Sequence, residues 1–168
     1  MDSKRIKEIY LAGGCFWGME AFYQQLEGIK KTEVGYANGN GENPSYLFVC
    51  SDTSGFAETL YLEYDSEVIS LNTILDYFFL VVDPTALNYQ KEDRGTQYRN
   101  GIYYCDDFDK EEILNYIEKI ESSYEKPLVT EILPLKNYYP AEEHHQDYLK
   151  KNPEGYCHID MSILKKNG

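Results

Sequence analysis

The stretch "IKEIYLAGGCFWGME", residues 6–20, holds a strand, a break and the start of a helix, and the fold is read outward from it. Its first part, "IKEIYLA", alternates apolar and polar residues as a half-buried strand does, and Gly13-Gly14 then breaks the alternation. Met19, Phe22, Tyr23 and Leu26 follow at i, i+3, i+4 and i+7, the spacing of one helix face, and Gly28 stops that pattern as a C′ residue commonly does. Cys15 is thereby placed near a helix N-terminus, beside Phe16 and the single tryptophan, Trp17. There, unpaired backbone N–H groups and the helix dipole favour a thiolate over the ordinary thiol pKa of about 8.5. The ordinary alternative is a free cysteine packed away as a small hydrophobe.

Further along, "KKTEVGYANG" reads as a strand entering a Gly/Asn-rich loop, which leads through "NGENPSY" to a short helical stretch "LFVCSD". The segment "AETLYLEYD" alternates as a strand, and Ser70 is placed to cap a helix with Leu71, Ile74, Leu75, Phe78 and Val82 on one face, ended by Asp83-Pro84. A long loop, "PTALNYQKEDRGTQYRN", delivers the chain to the strand "GIYYC". Asp109 is then expected to cap a helix carrying Ile113, Tyr116, Ile117, Ile120 and Tyr124, followed by a strand "LVTEILPL" and a last helix from near Pro140. From Pro153 a loop-rich, movable tail is expected. Strands and helices alternate with some strands adjacent, which fits one two-layer α+β domain over residues 1–168, its tail at about 153–168.

A formal charge of −13, with 16 Lys and Arg scattered among 29 acids, argues against a nucleic-acid surface, which needs a basic patch. The run "YFFLVV" is far too short to span a bilayer, and "MDSKRIKEIYLA" has no apolar stretch of signal-peptide length, so a soluble, cytoplasmic protein is expected. Cys15, Cys50, Cys105 and Cys157 form no Cys-x-x-Cys pair, which leaves catalytic or redox use rather than a zinc ribbon or disulfide scaffold. His144-His145 suggests a metal at first sight, but adjacent helical histidines point about 100° apart and no second ligand pair stands at a binding spacing. No metal is expected.

Taken together and in order, "GGCFWG", "VGYANG", "NPSY" ending in Tyr46, "AE" ending in Glu58, "RGTQYR" containing Tyr98 and preceded by Asp93, "YYPAEEHHQDYL" and "NPEGYC" ending in Cys157 resemble the A-class peptide methionine sulfoxide reductases along nearly the whole chain. The resemblance implies a two-layer α+β sandwich with a mixed, mainly antiparallel sheet covered by helices, a ferredoxin-like core, and a C-terminal coil wrapping towards the active site. It also implies reduction of the S epimer of methionine sulfoxide, free or in proteins. By that likeness Cys15 attacks the sulfoxide sulfur and Glu58 donates a proton to the oxygen. Tyr46 and Tyr98 bind that oxygen, Asp93 orders the surrounding loop, and Phe16 and Trp17 receive the S-methyl group. Cys15 is left as a sulfenic acid, which Cys157 condenses to a Cys15–Cys157 disulfide for thioredoxin, or another dithiol, to reduce. By this cycle no bound cofactor is needed, and a monomer is expected.

Two departures from that pattern stand out. Phe56 occupies the place, two residues before Glu58, where the family commonly has a histidine, and "HIDMSILKKNG" brings no cysteine after Cys157, which points to a two-cysteine cycle. Cys50 and Cys105 read as structural, with thiol exchange through either as the alternative. Two rival functions compete with reduction: a cysteine hydrolase with Cys15 as nucleophile and His145 as base, and a module that binds oxidised methionine without converting it.

Overall fold

The computed structural model describes residues 5–42, 44–51, 54–162 and 164. Asn43 of the "NPSY" motif, Asp52 at the end of the expected helical stretch and the last residues of the expected tail lie outside them. The elements are β1 (Ile6–Gly13), α1 (Phe16–Gln24), β2 (Ile29–Ala37), α2 (Tyr46–Cys50), β3 (Ala57–Asp65), α3 (Leu71–Val81), β4 (Tyr89–Gln90), β5 (Asp93–Arg94), β6 (Asn100–Tyr104), α4 (Asp107–Ile120), β7 (Glu131–Pro134), β8 (Tyr138–Pro140) and α5 (Tyr148–Lys151).

Six strands form one sheet in the order β7-β6-β1-β3-β2-β8, antiparallel throughout except for the parallel pair β6–β7. Its centre, β6-β1-β3-β2 with α1 between β1 and β2 and α3 between β3 and β6, is a βαββαβ arrangement of the ferredoxin-like kind. The period-2 alternation of the strands sorts side chains between two faces. Ile9, Leu11, Val34, Tyr36, Leu60, Leu62 and Ile102 meet Phe16, Met19, Phe22 and Phe78 of the helices in the main core. The opposite face pairs small residues, Ala12, Ala37 and Ala57, with tyrosines: Tyr10 lies 5.0 Å from both Tyr61 and Tyr138 between ring centroids. Here tyrosine supplies apolar area while its hydroxyl stays paired, as Tyr61 donates to Glu8 and Glu63 and Tyr138 to Glu33. Among the described residues no helix is long and apolar enough to cross a membrane.

Several boundaries differ from the sequence expectation. No helix starts at Pro140. Tyr138–Pro140 instead extends the sheet along the free edge of β2, where proline is tolerated, with Gly35, Tyr36 and Ala37 opposite. The chain then makes a 3-10 turn, Glu143–His145, before α5. The cap of α4 is Asp106, whose carboxylate accepts the Asp109 N–H at 2.8 Å, so Asp109 lies inside the first turn. The strand expected over "LVTEILPL" is confined to β7, because Val129 donates to the Pro84 carbonyl and Thr130 donates to Asn100, outside the ladder. Ser70 does cap α3, accepting the Thr73 N–H at 3.1 Å. Within the long loop, β4 and β5 pair as a short hairpin and Thr96–Tyr98 forms a 3-10 turn.

Candidate active site

The site is built where the end of β1 turns into α1. Gly14 makes that turn at φ 93°, a conformation L side chains rarely adopt, and a Cβ there would lie 2.9 Å from Gln90. Cys15 follows as the N-cap residue of α1 and is 6% exposed. The backbone N–H groups of Trp17 and Gly18 reach its sulfur, as the sequence suggested, but their effect is the smaller one. Burial, and after it the charges of Glu58 and Asp93, push the Cys15 thiol well above its ordinary range. The resting state therefore holds a thiol, not the thiolate expected from the helix N-terminus.

Glu58 lies on the helix face of β3, 1% exposed, with Leu60 and Leu62 following on the same face. Its Oε1 accepts the Phe16 N–H at 3.2 Å, one residue beyond Cys15, while its Oε2 is buried with no partner. Burial pushes its carboxyl up to about 8, opposed by the Phe16 bond and reinforced by the Asp93 charge. Phe56 is fully buried against Tyr139, keeping the start of β3 apolar. A carboxyl so placed is protonated at neutral pH and has an oxygen free to act.

Tyr46 opens α2 and Tyr98 ends the 3-10 turn before β6. Burial, and next the charge of Glu58, raise both phenols, so each hydroxyl keeps its proton and remains a donor. Asp93 carries a buried Oδ2 without a partner, and its other link is to Tyr156 of the tail. Phe16 is buried beside Tyr36 and His145, with centroids 5.7 and 5.5 Å away, whereas Trp17 is half-buried and stacks on Tyr148 at 3.8 Å.

Glu142, Glu20 and Gln146 also hold this arrangement, and sequence reasoning did not single out their roles. Glu142 accepts from the Tyr36 hydroxyl at 2.8 Å and from the Tyr46 N–H at 2.9 Å, fixing the start of α2 against β2. Glu20 is buried on α1 and accepts from the Asp147 N–H and the Thr32 hydroxyl, while Gln146 both accepts from and donates to the backbone of Val34. Cys50, read as structural, shares hydrogen bonds with Tyr46 and Gln97 close enough to Glu58 to feel its charge. The signal for Glu142 and Gln146 lay in "AEEHHQDYL", whose run of polar residues does not itself mark which of them turn inward.

His145 is 3% exposed, and its Nδ1 accepts the Trp17 Nε1–H at 3.0 Å. Because indole can only donate, the ring hydrogen sits on Nε2 and no lone pair remains for Cys15, which removes the base that a hydrolase requires. Burial also holds its pKa below the usual value. Among the described residues no group of three His, Cys, Asp or Glu stands where it could hold a metal ion.

All four cysteines are free thiols. Cys157 is half-buried against α1: a methyl added to Gly18 would stand 3.1 Å from its sulfur, one turn beyond Cys15. Over residues 157–159 the expected movable tail is packed, with His158 and Ile159 buried. Cys105, by contrast, follows β6 near Glu8, Asp106 and Asp109, at the other end of β1 from Cys15.

The family model described as Peptide methionine sulfoxide reductase matches residues 7–167. A curated relative from Clostridium acetobutylicum, Peptide methionine sulfoxide reductase MsrA, is 54% identical over 162 residues, covering 96% of this chain and 100% of that protein. Among solved structures, Mxr1 from Saccharomyces cerevisiae in reduced form superposes with a TM-score of 0.88 at 42% identity, covering 93% of this chain and 91% of that one. Mxr1 in complex with Trx2 aligns with a TM-score of 0.62 at 32% identity, covering 88% and 87%.

Proposed function

The chain belongs to the peptide methionine sulfoxide reductase family, and from that premise we propose that it reduces the S epimer of methionine sulfoxide, free or in proteins, by way of a Cys15 sulfenic acid and a Cys15–Cys157 disulfide reopened by thioredoxin. The observation that carries this reading is the protonated Glu58 held one residue from the thiol. A sulfoxide needs a soft nucleophile at sulfur and a proton at oxygen, and these two groups supply one each. Cys15 attacks the sulfur as the Glu58 proton moves to the oxygen, the thiol proton released by Cys15 returns Glu58 to its acid form, and the Tyr46 and Tyr98 hydroxyls orient that oxygen by hydrogen bonds. The half-buried Trp17, backed by Phe16, receives the methyl group, and Asp93 holds the tail through Tyr156. Net, methionine leaves and the oxygen ends on Cys15 as –SOH.

Cys157 then displaces the hydroxyl as water and forms the disulfide. Its seat against Gly18 supports this role, and the complex of the related Mxr1 with Trx2 supports thioredoxin as the reductant. A thioredoxin-coupled assay that follows NADPH oxidation with a methionine sulfoxide peptide tests the whole reading. Methionine formation matched to NADPH loss is expected. Turnover without a dithiol would indicate a hydrolase, and binding without product would indicate a sensor.

Cys157→Ser is expected to yield about one methionine per active site without reductant, because sulfenic acid formation needs Cys15 alone. Thioredoxin-coupled turnover should collapse, with partial rescue by a small thiol that reaches the sulfenic acid directly. Normal thioredoxin turnover would remove Cys157 from the cycle and direct attention to Cys50, the thiol beside Tyr46.

The S epimer is expected to be the substrate by a wide margin. A pocket that fixes methyl, oxygen and main chain in three directions around sulfur misplaces the oxygen of the other epimer. Comparable rates on the two resolved epimers would contradict this.

A further inference from the structure

The tail that carries Cys157 also carries a buried histidine for which the cycle above has no use. His158 is 6% exposed, and its Nε2 lies 2.9 Å from the carbonyl oxygen of Gly13. A carbonyl can only accept, so the ring hydrogen is on Nε2 and Nδ1 presents a bare lone pair. That nitrogen is buried with no partner. An unpaired buried acceptor is unfavourable, and its presence is explained if a proton reaches it during the reaction.

The Cys157 thiol lies on the same side. The point where a Gly18 methyl would stand is 3.1 Å from the Cys157 sulfur and 3.1 Å from His158 Nδ1, so both converge on one spot of α1. At rest the thiol donates to the Ile159 carbonyl at 3.4 Å, a bond it must leave to attack Cys15. Resting on the reading of Cys157 as the resolving thiol, we propose that His158 is the base of the second chemical step, taking the Cys157 proton on Nδ1 as its sulfur attacks the Cys15 sulfenic acid. The S–H bond of Cys157 and the S–O bond of Cys15 break, the S–S bond forms, and the proton passes from His158 to the departing hydroxide, which leaves as water. No outside oxidant is required.

The surroundings fit a neutral base. Burial holds the imidazole below its usual pKa, and Lys91 adds to this, while the Gly13 bond and the Asp93 charge oppose it. Asp83, Tyr124 and Asp160 line the adjoining cleft. Burial in turn keeps Cys157 protonated, so its proton must be removed by a neighbour for the attack to be fast.

The test uses the full reduced chain mixed with methionine sulfoxide peptide without reductant and quenched with an alkylating agent. Methionine formed and thiols lost are counted against time from pH 6 to 10. Dividing the rate of disulfide closure by that of methionine formation in the same sample separates a folding defect, which slows both. For His158→Gln this ratio should fall on the order of a hundredfold or more near pH 7, within the range of general base catalysis, and recover towards wild type at the alkaline end of the range as Cys157 ionises unaided. An unchanged ratio would overturn the proposal, and so would a deficit of equal size at every pH, which would mark His158 as a mere anchor. If wild type closes no Cys15–Cys157 disulfide, the assignment of Cys157 falls first and that of His158 with it.

Discussion

Cys15→Ser should leave less than about one per cent of the wild-type reductase activity, even with excess small dithiol. The sulfoxide sulfur demands a polarizable nucleophile, and a serine hydroxyl in the same place is a harder and far less acidic one. No other thiol can stand in. Cys157 bonds to the Ile159 carbonyl on the far side of Gly18, Cys50 is engaged with Tyr46 and Gln97, and Cys105 is at the other end of β1. The variant should still fold, since serine is close to cysteine in size and is a favoured N-cap residue whose oxygen can take the Trp17 and Gly18 N–H groups. Methionine production above that level in a well-folded variant would show that another group attacks sulfur.

Glu58→Gln should lower turnover by roughly a hundredfold or more, the scale on which a general acid contributes. Glutamine keeps an oxygen for the Phe16 N–H and a donor for the substrate, but it has no proton to give. In the wild type, activity should fall as pH rises through about 8, where Glu58 ionises. The variant should lack that alkaline limb, and an identical pH profile would move the acid elsewhere. The same substitution has a signature in folding. The native Glu58 pKa is raised from an ordinary value of 4.5 to about 8. Between those values the native state holds one proton more than the unfolded chain, and wild-type stability declines with pH by roughly 1.4 kcal/mol per unit. The accumulated difference is on the order of 5 kcal/mol at pH 8 and vanishes below pH 4. Denaturant midpoints measured across this range should therefore converge in acid and diverge in favour of Glu58→Gln as pH rises.

The sequence was most legible where structure is local. The alternation in β1 and β3, the glycine break before Cys15 and the Ser70 cap each depend on a few consecutive residues, and all stand where the pattern put them. Tyr138–Pro140 was misread because its partner, the edge of β2, is a hundred residues earlier, and a proline near a polar run resembles a helix start. The Asp106 cap was misplaced because three aspartates, Asp106, Asp107 and Asp109, crowd the start of α4 and any of them can serve. The state of Cys15 was misjudged for a similar reason: the helix N-terminus is local and visible, whereas the burial and the two carboxyl groups that outweigh it come from β3 and the β4–β5 hairpin. His145 could be noticed by type, yet its tautomer is fixed by Trp17, distant in sequence and adjacent in space.

The double attachment of the C-terminal segment bears on how long the enzyme survives its own chemistry. Gln146 and Asp147 are fastened to β2 and α1, and His158 is fastened to the Gly13 carbonyl, so the chain between them is held at both ends. In the proposed cycle the second thiol would therefore meet the oxidised Cys15 at a high effective concentration, with little left to search. A sulfenic acid that waits in solution is oxidised further by peroxide to sulfinic acid, which thiols do not reverse. In that cycle, a tethered partner that captures the intermediate at once would spare the catalyst from the oxidant whose damage it repairs.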